Sequence, residues 1–347
     1  MNTPPMPAPA PSLDVVTFGE VMAMFVANEC GPLESVATFT RALAGAETNV
    51  AVGLARLGHR AGWIGRVGDD PFGRYALAEL AGSGVDTSTV TVDPTAPTGF
   101  QLKSRANGAD PQVVYFRKNS AGSRLAPSQA AEDYIAAARH LHLTGIPLAL
   151  SDSARAFAFR AVAVARAAGV TVSFDPNLRP SLWASRQEMV EITNALAAQA
   201  DWVLPGIDEA TVLTGLTQPG EIAAHYLDLG ASLIVIKGTR DGTSGHTRTG
   251  SWLQPNFPVA VVDTVGAGDG FATGLISGHL DGLDLPASLR RASAVGAFAV
   301  MSSGDKDGLP SRQQLAAFLA AEGNTLELVS WAWSYRSPWT AFRWTKP

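Results

Sequence analysis

The sequence predicts an α/β protein, a three-layer α/β/α sandwich with a mainly parallel central sheet and a small β-sheet lid. Two observations carry this. From residue 13 to about residue 320, short apolar runs alternate with helix-length patterns. Strands separated by helices form βαβ units whose sheet is covered on both faces. Two stretches, 20–42 and 91–118, break the alternation with extended patterns around a polar turn ("TGFQLKSRANGADPQVVYFRKNS") and are expected to form the lid, or else a plain surface hairpin.

The elements follow in order. "DVVTFG" is a strand, "AETNVAVGLARLG" a helix, "AGWIGRVG" a strand and "DPFGRYALAELAGSG" a helix. After the second lid stretch come the strand "RHLHLTGI", a helix over 151–168, the strand "VTVSFD", a helix over 185–200 and the strand "DWVLP". Helices over 207–214 and 219–229 precede the strand "SLIVIKG", and helices near 267–281, 286–302 and 311–320 close the pattern. In sheets of this kind, ligands sit beyond the carboxyl ends of the strands.

With 347 residues, 46% hydrophobic and 16% charged, the chain has ample material for a large core. A net charge of −5 speaks against a nucleic-acid or anionic-membrane surface, so an anionic ligand would have to be met by a few placed arginines. The single cysteine, Cys30, rules out an internal disulfide or a multi-thiolate metal site and is expected to be simply packed. Residues 1–12 read as a flexible Pro-rich leader with no basic region, since the first Lys or Arg is Arg41. No apolar run approaches the roughly 18–20 residues of a membrane span. A cytoplasmic protein with no nucleic-acid or membrane partner is expected. Residues 321–347 form a tail whose last part, 326–347, holds half of the eight tryptophans among basic residues. It suggests a segment packing on its own domain or on a second subunit and shows no chemistry.

The chemistry concentrates in "VVDTVGAGDGF", residues 261–271. A strand ending at Asp263, a Gly-Ala-Gly turn and a helix beginning near Gly268 would bring unpaired N–H groups to one point. The first turn of a helix has no internal acceptors for its N–H groups, and its dipole favours negative charge. Gly266, Ala267 and Gly268 therefore make a candidate anion hole that small residues leave open to a phosphate. Asp269 follows in the first turn. It is either a base for an attacking hydroxyl or an ordinary acid stabilised by the helix dipole. Neither a P-loop, a G-x-G-x-x-G, a G-x-S-x-G elbow nor an H-E-x-x-H motif occurs. His140 and His142 alternate within one predicted strand and read as structural.

Several segments together resemble the PfkB/ribokinase family of sugar kinases. "AGAETNVAVGLARLGHRAGWIGRVGDDPFG" (44–73) is similar to the family's N-terminal signature and "DTVGAGDGF" (263–271) to its C-terminal one. "IKGTRDG" (236–242) resembles its nucleotide-binding turn. The resemblance implies a ribokinase-like sandwich with a β-lid spanning 13–320, ATP as donor, Mg²⁺, and transfer to a sugar hydroxyl. It places Asp269 as catalytic base and residues 266–268 as the anion hole. It also sets Lys237, Thr239, Gly242, Gly268 and Asn177 at the nucleotide, and Gly45 and Asn49 at the sugar. Glu209 would meet the metal through water, and Asp263 would help order a monovalent cation such as K⁺. Two departures stand out: Gly206 replaces the asparagine of the usual N-x-x-E, and Ala44 replaces a usual glycine.

"VYFRKNSAGSRLAP" (114–127) and "DPNLRPSLW" (175–183) resemble the 2-keto-3-deoxygluconate kinase branch of that family. There, Arg117 and Arg179 would face a sugar acid, Tyr115 would line the pocket, and Phe100 would add an apolar wall. A guanidinium fork is the natural bidentate partner of a carboxylate, although both arginines have internal salt bridges as the alternative. Lys103 and Lys118 read as solvated lid lysines. The expected activity is ATP-dependent phosphorylation of 2-keto-3-deoxygluconate at its 6-hydroxyl. Another acceptor (5-keto-2-deoxygluconate, fructose, ribose or a nucleoside) or a non-catalytic sugar-binding regulator stays open. A protruding lid offers strand edges that a second subunit could cover, so a homo-oligomer, dimer or higher, is expected.

Overall fold

Strand β1 (Leu13–Gly19) is buried along almost its whole length, as a strand covered on both faces must be. The computed structural model describes residues 13–105, 111–239, 241–302 and 304–321. The stretch 1–12 read as a leader, residues 106–110 and the aromatic stretch 326–347 lie outside the described residues.

After β1 the chain leaves the layer for β2 (Met22–Ala27) and β3 (Phe39–Ala44), then returns through helix α1 (Ala46–Arg56) to β4 (Ala61–Gly68). Helix α2 (Pro71–Gly82) leads to β5 (Thr91–Asp93), and β6 (Phe100–Lys103) and β7 (Val113–Phe116) form a second excursion. There follow α3 (Gln129–Ala136), β8 (Ala138–Thr144), α4 (Ile146–Leu150), α5 (Asp152–Ala167), β9 (Thr171–Asp175) and α6 (Arg186–Ala197). Next come β10 (Trp202–Val203), α7 (Ile207–Thr214), α8 (Pro219–Asp228), β11 (Leu233–Thr239), β12 (Gly242–Thr247) and β13 (Gly250–Gln254). Helices α9 (Ala267–Leu280), α10 (Leu285–Val300) and α11 (Arg312–Ala320) complete the described chain.

The main sheet has the order β13-β12-β11-β10-β9-β8-β1-β4-β5. It is parallel from β11 to β5, and antiparallel only in the β11-β12-β13 edge. One face packs Phe18, Leu141, Phe174 and Ile234 against Phe157 of α5 and Tyr226 of α8. The other packs Val15, Trp63 and Val235 against Leu54 of α1 and Phe271 and Leu275 of α9. The predicted class holds: helices on both faces of a mainly parallel sheet, with a separate small sheet of order β3-β2-β6-β7.

Several details differ from the sequence expectations. Thr91–Asp93 pairs with β4 in the main sheet, although it falls inside the stretch read as lid. The strand expected to end at Asp263 does not form. Pro255 and Pro258 lack the N–H a ladder needs, and Val261 and Val262 are 62% and 59% exposed. The β12-β13 hairpin and helices α3 and α4 add to the elements expected from the sequence. Cys30 is exposed, not packed. His140 and His142 are buried, and each shares a hydrogen bond with Ser173 Oγ, at 2.7 and 2.8 Å.

Helix starts are mostly served by their own chain. The side chains of Asp70, Ser128, Ser151, Ser185, Asp284 and Ser311 each accept an N–H from the first turn they precede. Helices α1, α4, α7, α8 and α9 have no such side-chain cap. The N-cap of α9 is Gly266.

Candidate active site

The start of α9 opens into a cleft of about 960 Å³ between the lid and the carboxyl ends of the parallel strands. Its floor includes Glu20 after β1, Asp175 at the end of β9 and Lys237 and Gly238 on β11. The lid contributes Met22, Gln101, Val113, Tyr115 and Arg117, the start of α1 contributes Gly45, Ala46, Glu47 and Asn49, and the start of α9 contributes Gly266 to Asp269.

Asp269 is buried, and its Oδ2 accepts a hydrogen bond from Asn49 Nδ2 at 2.8 Å. Burial raises its pKa to about 8, with help from the like charges of Asp175, Glu47 and Asp305 and against the Asn49 hydrogen bond. A carboxyl in this position holds its proton at neutral pH and becomes a strong acceptor once ionised. The other end of the amide, Asn49 Oδ1, is buried and has no partner among the described residues. A buried acceptor left unpaired is costly, so a ligand hydroxyl donated to Asn49 is strongly favoured. Beside it, Glu47 is buried and accepts from Thr144 Oγ1 at 2.5 Å. Burial raises the Glu47 pKa to about 7.

Gly266 takes the left-handed φ of +84°, and a Cβ there would lie 2.7 Å from the carbonyl oxygen of Asp305. A Cβ on Gly268 would stand 3.4 Å from Lys237 Nζ and 3.8 Å from Asp175 Oδ2, so the missing side chain keeps the turn open toward that ion pair. Lys237 Nζ contacts Asp175 Oδ2 at 2.5 Å. Burial would push the lysine down, but Asp175 and Glu209 outweigh it and hold the ammonium charged. Glu209 accepts from the N–H groups of Leu178 (2.7 Å) and Gly206 (2.8 Å), and burial, with Asp175, raises its pKa. Gly206 thus meets Glu209 through its backbone, and the asparagine side chain usual at this position is not needed for that contact. Asn177, with φ +40°, lines the cleft beside them.

Arg117 is not a bare cation. Its Nε donates to Glu20 Oε2 at 2.7 Å and one Nη approaches the same oxygen at 2.5 Å, while Ser120 Oγ donates to Glu20 Oε1. Its guanidinium lies 5.7 Å from the Tyr115 ring centre. Arg179 spends Nη1 on the carbonyls of Leu178 (2.9 Å) and Asn177 (3.4 Å). Both arginines line the cleft that holds Asp269.

Four expected site residues lie elsewhere. Phe100 stacks on Phe116 with ring centres 4.5 Å apart, on the lid face opposite the cleft, because alternation turns Gln101 inward instead. Thr239 and Gly242 do not line the cleft: Thr239 Oγ1 donates to the Gly242 carbonyl at 2.7 Å and closes the β11-β12 turn. Gly238 and Thr243 border the cleft there. Asp263 does not line it either, and its carboxylate is taken by Lys103 Nζ at 2.6 Å. Lys103, read as solvated, is 1% exposed. Conversely, Glu20, Glu47 and Asp175 escaped the sequence reading. "TFGE" and "VSFD" each end an apolar buried strand with an acid, and an acid there points to the ligand crevice.

The pattern of the pfkB family carbohydrate kinases matches residues 12–312. The chain belongs to this family. A 2-dehydro-3-deoxygluconokinase of Bacillus subtilis (strain 168) is 51% identical over 312 residues, covering 89% of this chain and 96% of that protein. A 5-dehydro-2-deoxygluconokinase of Geobacillus thermodenitrificans (strain NG80-2) is 33% identical, covering 92% and 96%. A protein of E. coli assigned as Ribokinase II, solved in complex with ATP and Mg²⁺, superposes with a TM-score of 0.82 at 27% identity, covering 89% and 99%. The protein is a carbohydrate kinase, a phosphotransferase acting on an alcohol. No helix among the described residues is long and apolar enough to cross a membrane.

With Asp269 as base, the raised pKa fixes the direction of the pH response. The carboxyl must ionise to accept a proton, so kcat/KM for the sugar is expected to fall as pH drops through about 8 in the free enzyme. A profile flat down to about pH 6 would show that another group, or none, takes the proton.

Proposed function

We propose that this kinase phosphorylates 2-keto-3-deoxygluconate (2-dehydro-3-deoxygluconate) at its 6-hydroxyl. The observation that carries the reading is the presence of two guanidinium groups, Arg117 and Arg179, in the cleft that holds Asp269 and the uncapped start of α9. The acceptor of the 51%-identical relative supports it.

The sugar acid lies under the lid with its carboxylate toward Arg117 and Arg179. Glu20 takes Nε and one Nη of Arg117; the second Nη makes no hydrogen bond among the described residues and is open to the ligand. Asn49 Oδ1 accepts a sugar hydroxyl, and Gly45 leaves the start of α1 close to the ring. Asp269 takes the proton of the 6-hydroxyl as the new O–P bond forms, the β–γ bridge of ATP breaks, and ADP leaves with the bridging oxygen and its electron pair. The N–H groups of Gly266, Ala267 and Gly268 receive the equatorial oxygens of the phosphoryl in flight. Lys237 and Asn177 stand at the nucleotide side.

The donor set fits a magnesium ion carried on the triphosphate. Among the described residues no three His, Cys, Asp or Glu side chains converge into a protein cage, and Mg²⁺ typically keeps several waters and relies on phosphate oxygens. Asp175 and Glu209 would hold its water shell, and the ion supplies charge neutralisation of the phosphates.

The test is ADP release by the purified chain with Mg-ATP and, in turn, 2-keto-3-deoxygluconate, 5-keto-2-deoxygluconate, fructose, ribose and adenosine. A preference of about 10²-fold in kcat/KM for the first over the neutral acceptors is expected from two charge-assisted contacts. Arg117→Ala is expected to raise KM for the sugar acid by about tenfold or more and to leave neutral acceptors little changed. Preference for a neutral sugar would overturn the acceptor and leave the kinase.

A further inference from the structure

Lys103 ends lid strand β6, yet its ammonium lies in the body of the protein. Nζ stands 2.6 Å from Asp263 Oδ2 and 2.8 Å from Asp305 Oδ1, and all three side chains are less than 10% exposed. The two acids grip the phosphate-binding turn from both sides. Asp263 Oδ1 accepts the N–H of Val265 at 2.9 Å, just before the turn, and the Asp305 carbonyl presses on Gly266 where a Cβ would be 2.7 Å away. The segment that carries Asp305 is itself held by Arg56, whose Nη1 donates to the carbonyls of Lys306, Asp307 and Leu309.

Two buried carboxylates this close repel each other and the incoming phosphates unless a cation lies between them. A lysine ammonium is a compact point charge with three donors, close in size to a potassium ion. It reaches the position as part of the lid. It is therefore present at full occupancy whatever the salt, and it ties the lid to the turn that receives the phosphoryl.

We infer that the Lys103 ammonium serves as a built-in monovalent cation: it fills the position between Asp263 and Asp305, fixes the 264–268 turn in its anion-binding shape, and makes turnover independent of added K⁺. Lys103 is a positioning residue, since it touches neither substrate. The inference rests on the kinase activity alone and holds for any sugar acceptor.

The experiment compares the full chain and Lys103→Ala in choline, sodium, potassium and ammonium chloride at equal ionic strength, with the preferred acceptor and Mg-ATP. The unmodified chain is expected to turn over at the same rate in all four salts. Lys103→Ala is expected to lose about 10²-fold in kcat in choline, as when one element of an anion hole is removed, and to regain at least about tenfold in potassium or ammonium. Its Tm is expected to rise with potassium and not with choline, a readout independent of turnover. Activation of the unmodified chain by potassium over choline would overturn the inference. So would a folded Lys103→Ala that no small cation rescues. Where that variant fails to fold, Lys103→Met combined with Asp305→Asn, which removes one of the facing acids, decides it: loss of kcat with regain in potassium supports the inference, and unchanged turnover in choline overturns it. Failure of the kinase reading itself would appear differently, as no ADP release from the unmodified chain in any salt.

Discussion

Asp269→Asn is expected to lower kcat by about 10³-fold or more while ATP still binds, because the asparagine keeps the shape and loses the proton acceptor. The measurement is kcat with saturating Mg-ATP and sugar, beside an ATP titration of the same protein. Turnover within tenfold of the unmodified chain would remove Asp269 from the role of base. The same variant should be the more stable protein in alkali. In the folded chain burial lifts the Asp269 pKa from 3.8 to about 8, so the folded state holds a proton that the unfolded state releases. This contribution is fully present below the unfolded pKa and is lost as pH rises through the folded one. Asparagine does not ionise, so the two proteins should melt alike near pH 4 and diverge by pH 9. With each pKa unit worth 1.36 kcal/mol and part of the penalty relieved by relaxation, about 2 kcal/mol in favour of the variant is a reasonable expectation. Thermal melts at the two pH values test the sign directly. Asn49 helps the exchange, since its amide can turn and offer Oδ1 to the new NH₂ group.

Gly266→Ala is expected to cost about 10²–10³-fold in kcat with the chain still folded, the scale of losing an oxyanion-hole donor. The alanine inherits φ +84° and a 2.7 Å approach to the backbone of Asp305, so the turn must shift and carry the N–H groups of α9 with it. A control separates this from the backbone penalty alone. Gly282, past the far end of α9, has φ +75° and open space where a Cβ would go. Gly282→Ala should cost about 1 kcal/mol of stability and leave kcat unchanged. Equal kinetic effects from both substitutions would show that the 266–268 backbone has no special part in transfer.

The layer structure was legible because β1, β8, β9 and β11 are apolar runs separated by helix-length segments, a pattern fixed by burial on both faces. The antiparallel edge was not. "GTSGHT" has no apolar alternation to mark a strand, and it becomes strand β12 because small residues let α10 lie close: a Cβ on Gly245 would meet Leu289 at 2.7 Å. Such a demand comes from a partner far along the chain. That the glycine turn and Asp269 share the cleft follows from helix-end physics, and Arg117 and Arg179, expected from the resemblance, line the same cleft. What local sequence concealed was direction. "FQLK" in β6 has Gln101 and Lys103 buried while Phe100 and Leu102 are only half-buried, the reverse of an ordinary half-exposed strand. The parity of one short strand therefore sent Phe100 away from the cleft and Lys103 into the protein. Counterions were equally hidden, since nothing near Arg117 in sequence announces Glu20, 97 positions away.

That Glu20–Arg117 pair bears on how the reaction ends. On the sugar-acid reading proposed above, substrate and product carry the same carboxylate, and two unopposed guanidinium groups would hold the product by it as firmly as the substrate. An arginine already leaning on its own carboxylate exerts a weaker pull, and Glu20 stays ready to reclaim it whenever the ligand loosens. Affinity is given up at the front of the cycle so that the cleft does not become a trap at its close.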